Sequence, residues 1–233
     1  MAGSVATGNC GWREQVLEVK HLPEDVPAIY TRLAPLYELW ARMTESRARR
    51  RVMELASVRP GEDLLEVAVG TGVQLVALAG ANPTGRTVGL EPSAGMLRQA
   101  RRRIDAAGIS NRVELVEGSA LGLPFADESF DLLVNGYMLD LLPRDEIPHA
   151  LAEFKRVLRP GGRLVLSNMT KGVRRRERIW DWLYAHGIVL TANCRGVLAE
   201  PVVRELGFAD IRREYLAQST FPTEIVTATK HDR

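Results

Sequence analysis

The feature that most constrains this chain is an alternation. From Asp63 to Met169, short apolar runs (DLLEVAV, RTVGLE, RVELVEG, FDLLVNG, GRLVLSNM) are separated by segments of helical periodicity at 72–79, 94–107 and 144–158. Such runs predict strands buried on both faces, and strand–helix–strand repetition predicts parallel pairing through right-handed crossovers. Toward the end the pattern changes. A short helix is expected near Pro201 to Leu206, then ADIRREYLAQ and TEIVTATK as two strands whose short connection makes them an antiparallel pair. The expected fold class is α/β: a doubly wound, seven-stranded, mostly parallel sheet with the last strand antiparallel. Ligands of such sheets gather at the carboxyl ends of the strands.

The first 24 residues are small, polar and weakly patterned, so they read as a flexible tail ahead of one domain over 25–233. From Asp25 to Val58 the periodicity is helical, with Ile29, Leu33, Leu36, Tyr37 and Trp40 on one face, giving two helices before the first strand.

One stretch carries the chemistry. In LLEVAVGTGVQL the first strand is expected to end at Val69, and Gly70-Thr71-Gly72 turns the chain into a helix whose free N–H groups face a ligand. Glycine permits the unusual backbone angles and the close approach. About 20 residues on, Glu91 ends the second strand, where a carboxylate accepts hydrogen bonds from ribose hydroxyls. The pair reads as an adenosine-type site. A third glycine of a dinucleotide motif would fall at position 75, which is Leu75, and no Lys-Ser/Thr pair follows the turn. Nicotinamide and nucleoside triphosphate chemistry are both disfavoured.

Here the residues resemble the class I S-adenosylmethionine-dependent methyltransferases, whose first motif, D/E-x-G-x-G-x-G, corresponds to Glu66-Val67-Ala68-Val69-Gly70-Thr71-Gly72, with Ala68 in place of the first glycine. The resemblance extends through EPSAGML, VELVEGSALGLPF, FDLLVNGYMLDLLP and RVLRPGGRLVLSNMTKG. It implies S-adenosyl-L-methionine as cofactor, S-adenosyl-L-homocysteine as product, and helices over the site. Glu66 would then orient the backbone and the methionine amino group. Ala68, Val69, Gly70, Thr71 and Gly72 would line the cofactor, Glu91 with Pro92 would take the ribose, and Met96 the adenine face. Around the adenine amino group it places Gly118, Ser119 and Ala120, with serine where an acid is common; Asn135 and Gly136 open the fourth strand into the site. Within the class, YTRLAPLYELW and NGYMLDLLP resemble the ubiquinone/menaquinone biosynthesis C-methyltransferase group.

Methyl transfer from a sulfonium needs alignment above all, with proton removal only where the acceptor demands it. Tyr30 and Tyr37 either cover the sulfonium with their rings or simply pack their helix. Tyr137 and Asp140 are the remaining catalytic candidates. Asp140, flanked by Leu139 and Leu141, is either a general base with a pKa raised by its apolar loop or a cap on the helix at Arg144. His186 reads as a helix-end histidine and Cys194 as a buried thiol or pocket wall. Trp180, Trp182, Leu183 and Ile188 form either a lid over an apolar acceptor or a core-facing helix.

Composition narrows the partners. Across 233 residues, 31 Lys+Arg nearly balance 29 Asp+Glu, so no global field calls for nucleic acid. The clusters RARRR, RRRI and RRRER read as solvated faces, and the loop after the fourth strand lacks the N/D-P-P-Y/F of base amino-methylases. Two cysteines and four scattered histidines suit neither a disulfide framework nor a metal site. The expectation is a cytoplasmic methyltransferase of a small apolar or aromatic acceptor, with no metal and no transmembrane segment. A homodimer is left open. The alternatives are a nucleotide or RNA methyltransferase, a nicotinamide-dependent reductase and a noncatalytic adenosine-ligand sensor.

Overall fold

The computed structural model describes residues 44–174, 177, 179–180, 182 and 195–231. Tyr30, Tyr37, Trp40, Leu183, His186, Ile188, Cys194 and the first of the two expected helices lie outside these residues, so the readings made on them have no structural counterpart here.

Within this range the chain runs α1 (44–56), β1 (Leu64–Val67), α2 (Val73–Ala81), β2 (Thr87–Glu91), α3 (Ala94–Ala106), β3 (Val113–Glu117), β4 (Phe130–Gly136), α4 (Ile147–Val157), β5 (Leu158–Met169), α5 (Ala199–Glu205), β6 (Phe208–Gln218) and β7 (Phe221–Lys230). The strands form one seven-stranded sheet in the order β3-β2-β1-β4-β5-β7-β6. The first five pair in parallel, whereas β7 runs antiparallel to both β5 and β6. Strand order reverses between β1 and β4, which opens a crevice above their carboxyl ends.

Both faces are covered, which is why β1, β2 and β4 are buried along almost their whole length. On one face, Ala48, Val52 and Ala56 of α1 pack with Leu64, Leu132, Val134, Val165 and Ile225. On the other, Leu151 and Phe154 of α4 and Val202 and Val203 of α5 pack with Leu65, Leu133, Leu164 and Leu166. The alternation of these two sets along β1, β4 and β5 is the period of two that a strand imposes.

Three boundaries differ from expectation. β1 stops at Val67 rather than Val69, because Ala68 turns into the left-handed region at φ 60°. The helix expected from Arg144 starts at Ile147, since the Glu146 N–H closes a turn on the Pro143 carbonyl and Pro148, with no N–H to give, sits in the first helical turn. A 3-10 turn at Leu139–Leu141 has no counterpart in the sequence reading.

Candidate active site

The site is organised by the turn between β1 and α2. Ala68, Gly70 and Gly72 all have positive φ, at 60°, 53° and 78°. Ala68 therefore occupies a left-handed position that glycine fills at no steric cost; the departure from the motif is backbone strain as well as an added methyl. The two glycines serve different ends. A Cβ on Gly70 would meet nothing within 4 Å, whereas one on Gly72 would lie 3.0 Å from Ala100 Cβ and 3.1 Å from Ala100 Cα. Gly70 leaves open space, and Gly72 lets α2 approach α3. Arg103 of α3 ties the turn down, its Nη1 donating to the Thr71 carbonyl (2.6 Å) and to Thr71 Oγ1 (2.8 Å).

Two cavities flank this turn. The larger, of about 270 Å³, lies over the carboxyl ends of β1 and β2. Glu91, Pro92 and Met96 line one side, and Ala120, Met138 and Leu142 line another. Glu91 is 7% exposed. Its Oε2 accepts from the Gly70 N–H (3.0 Å) and its Oε1 from the Ser93 N–H (3.1 Å), so the turn and the acid hold each other in place. Burial raises the Glu91 pKa, and the two N–H donors oppose that rise.

A smaller cavity, of about 70 Å³, lies between the sheet and α1. Glu66, Val134 and Ser167 come from the sheet, Thr71 and Gln74 from the turn and α2, and Glu45, Arg49 and Val52 from α1. Glu66 is 4% exposed, and its Oε2 has no hydrogen-bond partner among the described residues; the same holds for Gln74 Nε2. Burial pushes the Glu66 carboxyl well above its ordinary range, with Arg49 opposing and Glu91 adding to the rise. Arg49 itself pairs with Glu45 at 2.7 Å. A buried orphan acceptor, a buried orphan donor and a guanidinium around one small space suit a zwitterion, and Ala68, Gly70, Gly136 and Tyr137 line both cavities, so the two adjoin.

With that geometry in view, the central region can be set beside known proteins. Residues 64–162 match the methyltransferase domain family. This stretch is similar to methyltransferase domains. A demethylmenaquinone methyltransferase from Symbiobacterium thermophilum is 37% identical over 127 residues, 54% of this chain and 50% of that protein. One from Bacillus cereus is 37% identical over 118 residues, 50% of this chain and 48% of that protein. The chain thus spans about half the length of the curated relatives it matches, and it resembles class I methyltransferases of the ubiquinone/menaquinone type. Among solved structures, the 4+2 cyclase SpnF superposes with a TM-score of 0.71 at 21% identity, covering 89% of this chain and 96% of that one. A methyltransferase from Thermotoga maritima gives 0.66 at 24%, covering 88% and 99%. These two speak for the fold alone. Among the described residues no helix is long and apolar enough to cross a membrane.

This region gathers most of the sequence candidates. Ala68, Gly70, Glu91, Pro92, Met96, Ser119, Ala120, Gly136 and Tyr137 line the larger cavity, and Glu66, Val69 and Thr71 line the smaller. Others fall elsewhere. Gly72 and Gly118 line neither cavity; a Cβ on Gly118 would instead press on the Leu90 side chain at 3.1 Å. Ser119 Oγ accepts from the Leu121 N–H (3.2 Å), which stitches its own turn.

Asn135 is fully buried, with Nδ2 donating to the Val67 carbonyl (2.9 Å), and lines neither cavity. It knits the end of β4 to the end of β1. Asp140 is also fully buried and outside both cavity walls; its Oδ2 accepts from the Met169 N–H (3.0 Å). Burial lifts its pKa to about 8, the direction expected, yet the carboxyl neither reaches the site nor caps α4. The base reading therefore finds no geometric support. Tyr137 does reach the site, at φ 52°, with its hydroxyl 2.9 Å from Thr223 Oγ1 and its phenol pKa held well above the ordinary value by burial.

Sequence reasoning missed Glu45, Arg49, Gln74 and Ser167. Arg49 belongs to a cluster read as a solvated face, whereas it faces the smaller cavity, and Arg51 reaches across to Glu214 of β6 (2.7 Å). The available signal was Glu45 four residues before Arg49 on one helix face. Trp180 is anchored rather than loose: its ring packs edge-on against Phe221 (5.3 Å) and its Nε1 donates to Thr220 Oγ1 (3.1 Å).

Proposed function

We propose that this chain transfers a methyl group from S-adenosyl-L-methionine to a small, apolar or aromatic, oxygen-bearing acceptor, quinone-like or a natural-product intermediate, at carbon or oxygen. The observation that carries the reading is the pair of buried carboxylates on either side of one glycine turn. Glu91 faces the larger cavity and Glu66, with an orphan oxygen, faces the smaller. The named activity of the curated relatives, on demethylmenaquinone, supports the acceptor class.

The residues fit the cofactor. Glu66 would accept from the α-ammonium, giving its orphan Oε2 a partner, while Gln74 and Arg49 face the same space with donors for the α-carboxylate. Glu91 keeps lone pairs for two ribose hydroxyls, since each oxygen accepts only one backbone N–H. Met96, Met138 and Leu142 offer apolar contact to a base. The bound cofactor supplies an electrophilic methyl on a positively charged sulfur, displaced in line by the acceptor. Tyr137, placed where the cavities adjoin, keeps its phenol neutral and hydrogen-bonded to Thr223, so it bounds the reaction space without competing as a nucleophile. The burial that raises the Glu66 and Glu91 pKa values also excludes water from the transfer.

The test is twofold. Denaturing mass spectrometry of the purified protein is expected to release S-adenosylmethionine or S-adenosylhomocysteine, and incubation with S-adenosylmethionine and a panel of hydroxylated aromatics is expected to yield homocysteine above background after hydrolysis of the product by S-adenosylhomocysteine hydrolase. A retained nicotinamide dinucleotide would refute the reading.

A further inference from the structure

The smaller cavity contains a polar group that the cofactor reading does not use. Ser167 sits near the carboxyl end of β5, paired with Gly136 of β4, and its side chain is on the α1 face of the sheet with Val165. It is 3% exposed and lines the cavity. Its hydroxyl makes no hydrogen bond among the described residues. A hydroxyl that opens onto a cavity with no protein partner is free to bond a ligand there.

Its neighbours define the ligand. Gly136 is what keeps the hydroxyl accessible, because a Cβ there would lie 3.3 Å from Ser167 Oγ. Val52, Val134 and the Tyr137 ring supply apolar walls beside it. Of the charged groups lining the cavity among the described residues, Glu45 and Glu66 are carboxylates and the one guanidinium, Arg49, is paired with Glu45 and faces the α-carboxylate in the cofactor reading, so no cation remains for an anionic group on a second ligand. Ser167 is also remote from the corner where Glu66 and Gln74 stand. Glu66 pairs with Val134, and Ser167 lies one strand beyond β4 and two residues further along, about 12 Å from Glu66 in Cα separation by strand geometry. The hydroxyl is therefore set apart from the corner that faces the zwitterion.

We propose that Ser167 is an acceptor-positioning residue, its hydroxyl bonding an uncharged oxygen, hydroxyl or carbonyl, on the edge of an apolar ring. The oxygen enters the smaller cavity beside Val52, Val134 and Tyr137, and the ring itself lies at the junction of the two cavities, where Tyr137 lines both. This rests on the methyltransferase reading and narrows its acceptor to ring compounds whose recognised substituent is neutral and oxygen-bearing.

The experiment is calorimetry on the full chain. S-adenosylhomocysteine is titrated first. At saturation, 1-naphthol is compared with its oxygen-free counterpart 1-methylnaphthalene. Wild type is expected to prefer 1-naphthol about fivefold to tenfold, and Ser167→Ala to lose that preference while keeping its affinity for S-adenosylhomocysteine and its thermal midpoint. Gly136→Ala, which crowds the hydroxyl, is expected to reduce the preference as well. A Ser167→Ala protein that still prefers 1-naphthol, or a wild type with no preference, overturns the proposal and leaves the cofactor reading standing. Failure of S-adenosylhomocysteine to bind at the outset overturns both.

Discussion

The division of labour between Gly70 and Gly72 makes a sharp prediction, because one substitution probes ligand space and the other probes packing. In Gly70→Ala the added methyl points into space with nothing within 4 Å, at φ 53°. A left-handed alanine costs about 1–2 kcal/mol, of which about 0.4–1 kcal/mol is recovered from reduced freedom of the unfolded chain. The net loss is about 1 kcal/mol, or about 2–4 °C in midpoint for a chain of this size. The same methyl projects toward the wall shared by both cavities, so affinity for S-adenosylhomocysteine is expected to fall at least about tenfold, the equivalent of about 1.4 kcal/mol. In Gly72→Ala the methyl meets Ala100 at 3.0 and 3.1 Å, so α2 and α3 must part. Overpacking of about 1–3 kcal/mol adds to a similar backbone strain, giving a loss of about 2–4 kcal/mol. Thermal unfolding and calorimetry on the two variants decide the matter. The reasoning fails if Gly72→Ala keeps its midpoint while losing the ligand, or if Gly70→Ala binds as tightly as wild type.

Three further outcomes are expected. Ala68→Gly relieves a left-handed alanine and, after the entropic cost of glycine, raises stability by about 1 kcal/mol; a lowered midpoint contradicts the strain at φ 60°. Asp140 carries a folded-state pKa of about 8 against an ordinary 3.8. The folded state therefore holds a proton that the unfolded state has lost, and stability declines as pH rises between those two values, by at most about 1.4 kcal/mol per unit from this group. In Asp140→Asn the midpoint should decline less over that range, and an unaltered wild-type-like slope argues against the buried neutral acid. Glu66 must be ionised to hold an ammonium, and its pKa is raised in the ligand-free protein. Cofactor affinity should therefore weaken as pH falls below that raised pKa, by up to about tenfold per unit, and Glu66→Gln should bind weakly with a flatter profile; equal pH dependence in both proteins speaks against the pairing.

Much of the architecture was legible because burial on two faces leaves a plain signature. The largely apolar runs at Leu64–Val67, Thr87–Glu91 and Phe130–Gly136 read as buried strands, and their right-handed crossovers leave few topologies. Glu91 was legible from spacing, since a carboxylate at the end of β2 stands beside the turn at the end of β1. What escaped lies in local geometry. Counting by two along β4 separates Asn135 from Val134 and Gly136, which line the smaller cavity, and so turns it away from the site. Asp140 fell within a 3-10 turn whose three residues carry no periodicity, so the direction of its side chain had no sequence signature. The role of Gly72 depends on Ala100, a contact between two helices that no local motif encodes. Arg49 was hidden by neighbours of its own kind: one arginine in a run of them faces the sheet, and only the helical phase of α1 against Glu66 distinguishes it.

The central claim is that the β1–α2 turn with Glu66 and Glu91 is a site for a sulfur-bearing adenosine cofactor. Isothermal titration of the full chain with S-adenosylmethionine, S-adenosylhomocysteine and NADH tests it most directly. Saturable one-to-one binding of both sulfur ligands, weakened at least about tenfold in Gly70→Ala and undetectable for NADH, is the expected result. Tight binding of NADH with no heat from either sulfur ligand would contradict it.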